Sequence, residues 1–214
     1  MSLHLYNAEL ISWISFLIPL IPAWMFFRRL WFELKFFIAI LTVSFIFSVV
    51  VYYTGKHDIH NLVIYFIWYM LEFYLYSILF QRLLHSRFSK NFTSVMMLLF
   101  AVLILVNLGH ILEGVAFDSY LPAFLSLAML LYCVLFFNQQ LDNPRITFIY
   151  KTTWFWIITG LLLYFAGSFL IMLSTGYLMN KNIDFIMELW ILQSLLGIVK
   201  NLLIAIGLVY IKQR

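Results

Sequence analysis

Along this chain, long apolar stretches alternate with short polar ones, seven times over. The apolar runs cover roughly 8–27, 36–53, 61–81, 93–112, 120–138, 154–174 and 186–210, each near the ~20 residues that a helix needs to cross a bilayer. Polar breaks separate them: Arg28 to Lys35, Thr54 to His60, Arg82 to Asn91, Glu113 to Ser119, Asn138 to Thr153 and Met179 to Phe185. Strand-like alternation punctuated by turns does not recur, which argues against a transmembrane barrel. The pattern predicts an all-α, polytopic transmembrane bundle of seven helices, a single domain over residues 1–214. Pro19 and Pro22 predict a kink or a locally opened helix in the first span, since irregular backbone is tolerated where protein covers it.

Composition strengthens that picture. Of 214 residues, 65% are hydrophobic and only 10% charged, against about 25% charged in a soluble domain. Lipid must cover much of this surface. A soluble enzyme, a disordered chain and a disulfide-stapled domain are excluded, and Cys133 has no second cysteine to pair with. The net charge of +4 reads as a topology signal. Arg28, Arg29, Lys35, Arg82, Arg87, Lys90, Arg145, Lys151, Lys212 and Arg214 fall on one side, and only Lys56 and Lys181 on the other. By the positive-inside rule the N-terminus lies outside and the C-terminus faces the cytoplasm of a plasma membrane. The first span lacks the basic flank of a cleavable signal peptide.

Ionisable residues inside a span are costly and mark function by default. Glu72 and Lys200 occupy the middle of the third and seventh spans, about 17 and 21 Å from their outer ends at 1.5 Å per residue. Helical spacing sets Tyr65, Trp68, Tyr69, Glu72 and Tyr76 on one face. Gln193, Gly197 and Lys200 share a face of the seventh span, with Ser194 and Asn201 alongside. These stripes predict an interior Glu72–Lys200 pair, either the heart of a ligand pocket or polar relay or a device that fixes helix register. Asn107 joins them as a candidate for a polar path. Gly160, Tyr164, Gly167 and Ser174 form a stripe in the sixth span that predicts tight helix packing.

A second constellation lies at the outer rim, where His57, His60, His110 and Glu113 could ligate a divalent ion or sense protons, although ordinary solvated polar caps are the simpler account of them. No established metal spacing accompanies them. Enzyme signatures such as a nucleophile elbow, a Walker loop or HExxH are absent, and no cofactor is implied. A lysine midway along a seventh helix matches the position at which retinal proteins form a Schiff base. Microbial retinal proteins carry an aspartate one turn earlier, however, where this chain has Leu196.

The run Phe155-Trp156-Ile157-Ile158-Thr159-Gly160-Leu161-Leu162-Leu163-Tyr164-Phe165-Ala166-Gly167, with Tyr69-Met70-Leu71-Glu72-Phe73 and the segment from Trp190 to Gly207, resembles a bacterial group of seven-span integral membrane proteins. That group is similar to membrane-sensor regions associated with signalling histidine kinases. The resemblance implies a bacterial inner membrane and a sensing role, and it supplies no catalytic residues. The expectation is a non-enzymatic sensor or ligand-binding module, in contact with lipid and a small or lipophilic ligand, that relays to a separate signalling partner and binds no nucleic acid. The alternative is a transporter or channel for a small solute, ion or proton.

Overall fold

In a computed structural model of the chain, residues 3–57, 62–112, 120–141, 149–178 and 183–211 are described. Seven helices carry them: α1 (Leu3–Met25), α2 (Phe32–Lys56), α3 (Leu62–Leu83), α4 (Arg87–Leu112), α5 (Tyr120–Leu141), α6 (Thr153–Leu178) and α7 (Ile183–Val209). All seven are long and apolar enough to cross a membrane, and no strand occurs among the described residues. The protein is a multi-pass, all-helical membrane protein. In lipid no water is at hand for backbone N–H and C=O groups, so each span must satisfy its own. Hydroxyls inside the spans obey the same constraint by bonding back one turn, as Ser44 does to the Ile40 carbonyl and Thr175 to that of Ile171.

The helices extend past the apolar runs at most ends. The largest difference is α4, which starts at Arg87 rather than near residue 93. Its first turns look like a loop in sequence because they are polar, but Ser89 and Thr93 are buried and joined by a hydrogen bond from Thr93 to the Ser89 carbonyl, while Lys90 and Asn91 face outward. The connection after α1 is also tighter than its charge suggests. A single 3-10 turn, Phe27–Arg29, leads through extended Leu30 into α2. Both prolines lie inside α1, which continues through them without a break. Each proline lacks the N–H that would bond the carbonyl four residues earlier, yet the helix runs on through both, and Pro19 is buried against the bundle.

Neighbour relations arrange six helices in a closed ring, in the order α1, α7, α6, α5, α3, α2 and back to α1. The fourth helix stands outside this ring, against α3 and α5, and its span is the least buried of the seven. Glycines set the tightest seam, between α6 and α7. A Cβ at Gly160 would lie 3.1 Å from the Lys200 carbonyl oxygen, and one at Gly207 would lie 2.9 Å from that of Thr153. On the far side of α7, a Cβ at Gly197 would come within 2.9 Å of Ser12 Oγ in α1. These small residues let α7 wedge between α1 and α6, and that wedge holds the lysine.

Candidate functional site

The inner face of α3 carries Glu72 and Tyr76, 8% and 1% exposed, with Tyr69 partly buried one turn away. Its outer face is apolar: Val63, Ile67, Leu71 and Ile78 are exposed. The seventh helix divides in the same way. Lys200 and Asn201 are buried, Gln193 is partly so, and Leu192, Leu195, Val199 and Leu202 face outward. Both polar stripes thus point into the ring, as hydrogen-bonding groups in lipid require.

Lys200 does not pair directly with Glu72. No ion pair within 4.0 Å joins the two head groups, although they are near enough for their charges to interact. The reason is the ring itself. The third helix packs on α2, α4 and α5, and aromatic side chains of α3 and α6 stand between it and the α6–α7 seam. Lys200 Nζ lies over two of these rings instead, 4.1 Å from the centroid of Tyr164 and 5.1 Å from that of Phe16. Each ring presents the negative face of its quadrupole to the cation. Gly160 and Tyr164 stand one turn apart on α6 and act together. The first admits the backbone of Lys200 and the second receives its ammonium.

Around Glu72, the phenols of Tyr69, Tyr76 and Tyr164 are all close enough to feel its charge. The Tyr76 ring meets Phe165 of α6 edge-on at 5.8 Å, which ties α3 across the ring interior. Tyr164 also neighbours Ser168 and Gln193, and Gln193 Nε2 donates to Ser168 Oγ at 2.7 Å. Toward α1, Asn201 Nδ2 donates to Ser15 Oγ at 2.7 Å, and that hydroxyl donates to the Ser12 carbonyl. Two acceptors on this helix, Gln193 Oε1 and Asn201 Oδ1, are enclosed without a hydrogen-bond partner. A buried acceptor left in that state is costly and calls for a donor.

The structure therefore gathers Tyr69, Glu72, Tyr76, Gln193 and Lys200 on the ring interior. Asn107 lies on α4, outside the ring, with its side chain outside the described part. Of the rim candidates, His57 is exposed and packs on Tyr53 with ring centroids 4.5 Å apart. His60 and Glu113 lie outside the described residues, as does the side chain of His110. Among the described residues no three His, Cys, Asp or Glu side chains are grouped as a metal ion would need. Sequence reasoning missed Phe16, one of 23 phenylalanines with nothing in its spacing to distinguish it. It read Tyr164 as packing, although the Gly160–Tyr164–Ser168 spacing of four places all three on the face turned to Lys200. What this arrangement can do is hold a cation and a carboxyl apart at mid-membrane, in an aromatic surround with unfilled acceptors. No protein-family model matches the chain, and no curated protein or solved structure is significantly similar to it.

Proposed function

We propose that this protein is a non-enzymatic sensor or ligand-binding module of a bacterial inner membrane, with its N-terminus outside and its C-terminus in the cytoplasm. Its site is the ring interior between α1, α3, α6 and α7. The observation that carries this reading is the separation of Lys200 from Glu72. A pair serving only helix register gains most from direct contact, because Coulomb attraction must offset the desolvation of both charges. Here the ammonium lies over Phe16 and Tyr164, and the carboxyl has the phenols of Tyr69, Tyr76 and Tyr164 nearby. A small ligand with a complementary polar group can bridge them, and its apolar part suits the aromatic walls. The occupied and empty states would then differ in how α7 sits between α1 and α6. Basic loops at the cytoplasmic end pass that difference to a separate signalling partner.

The test is extraction of bound small molecules from the protein purified in mild detergent, followed by mass spectrometry. A species present in wild type should fall at least about tenfold in both Lys200→Met and Glu72→Gln, the scale of one lost charge-assisted contact. Identical extracts from all three proteins would defeat the ligand reading. Pull-down that always finds the protein alone would remove the relay.

One observation favours a second reading, as a transporter or channel. Gln193 Oε1 and Asn201 Oδ1 are unpartnered acceptors on either side of Lys200, about 12 Å apart along α7 at 1.5 Å per residue. They would serve as stations for a proton or a small solute. Flux into proteoliposomes that is unchanged by Glu72→Gln and Lys200→Met excludes these residues from such a path. A retinal Schiff base at Lys200 is the least favoured reading, and protein that stays colourless after retinal is added ends it.

A further inference from the structure

A different site lies at the basic end of the bundle, on the outer surface between α3 and α4. There a half-open crevice of about 440 Å³ is lined by Ile78, Gln81, Arg82, Lys90 and Ser94. Arg82 is in the last turn of α3 and Lys90 in the first turns of α4, so both charges stand at the edge of their spans, at the level of lipid headgroups. The floor is fixed. Gln81 Nε2 donates to Ser94 Oγ at 3.1 Å, and Ser94 Oγ donates to the Lys90 carbonyl at 3.1 Å. The Arg82 guanidinium is laid over the Phe32 ring of α2, 4.7 Å from its centroid, which restricts a side chain that would otherwise sample many rotamers. No acidic side chain lines the crevice.

From its inner edge an apolar track runs toward mid-membrane. Ile78 on α3 and Val95, Leu98 and Val102 on α4 are exposed along it. Two cations above an apolar groove match a phosphodiester with acyl chains beneath it. We propose that this crevice binds the headgroup of an anionic phospholipid, with Arg82 and Lys90 on the phosphate and the acyl chains along α3 and α4. A zwitterionic lipid fits less well, because its ammonium would face two cations and no carboxylate. Basic pockets between transmembrane helices are a recurrent setting for anionic headgroups. This site is independent of the ring interior, and it gives α4, the helix outside the ring, a lipid-mediated tie to α3.

The test uses the full chain in detergent micelles with equimolar phosphatidylglycerol and phosphatidylcholine, and native mass spectrometry of the retained lipid. Wild type should retain phosphatidylglycerol in clear preference. Removing one charge in Lys90→Gln should weaken that preference about fivefold, and Arg82→Gln with Lys90→Gln should abolish it. Lys90 is exposed, so its single variant gives the answer even where loss of the Arg82–Phe32 contact disturbs folding. Equal retention of the two lipids by wild type, or a preference unchanged in Lys90→Gln, overturns the proposal. Displacement of phosphatidylglycerol by millimolar inorganic phosphate also overturns it, since the crevice would then read a free anion rather than a lipid.

Discussion

Replacing Tyr164 by Leu should destabilise the bundle by about 2 kcal/mol or more, and adding Lys200→Met should restore most of that loss. A charge at mid-membrane costs about 2.5–3.5 kcal/mol on insertion scales. A desolvated cation–π contact returns about 2 kcal/mol, and Lys200 has two such faces, Tyr164 and Phe16. Lys200→Met alone should therefore shift stability by only about 1 kcal/mol, because cost and compensation leave together. In the Tyr164→Leu protein the cost stays and the nearer ring is gone. Tyr164→Phe keeps a ring face and should behave much more like wild type. Unfolding in mixed micelles across the four proteins of the Tyr164/Lys200 cycle measures the coupling. Strict additivity would show that Tyr164 does not stabilise the cation.

The second large effect is expected at Gly207. Its Ala variant should lose about 1–3 kcal/mol, the usual range for forcing extra volume into a packed seam. The added methyl would lie 2.9 Å from the Thr153 carbonyl oxygen and 3.2 Å from Ile157 Cγ1 and Trp156 Cβ. Backbone cannot rotate out of the way, so α6 and α7 must separate. Gly167→Ala is the contrast. The atoms it meets are the tip of the Leu196 side chain, which can turn aside, and alanine favours the helix by roughly 0.5–1 kcal/mol. Gly167→Ala should therefore be nearly neutral in the same assay. Equal losses at the two sites would mean that helix separation does not decide the outcome.

Much of this was legible in the sequence for one physical reason. A bilayer demands a run of apolar residues wherever a helix crosses, and seven such runs cannot be mistaken for another period. The faces were legible too, because Glu72 and Lys200 can only face protein, and their helical neighbours follow by spacing. What lies opposite each face was not. Spacing within α3 and α7 says nothing about whether the two helices touch, and it is the ring order that sets Lys200 over Phe16 and Tyr164 instead of against Glu72. The start of α4 was hidden for a related reason. Arg87 to Asn91 look like loop residues to a hydropathy argument, but Ser89 is buried and its carbonyl accepts the Thr93 hydroxyl within the helix.

The hydrogen bond between Asn201 and Ser15 spans 186 residues of chain and has a consequence for synthesis. The first helix finds its main partner only when the seventh arrives, roughly 10–40 s later at ordinary elongation rates. Until then the α1 face that carries Ser12, Ser15 and Phe16 waits in the membrane without the helix it is shaped to hold. Lipid or a chaperone must cover that face in the interval. The assembly step most exposed to error is thus the last one, when α7 slides between two helices already in place and brings a lysine with it.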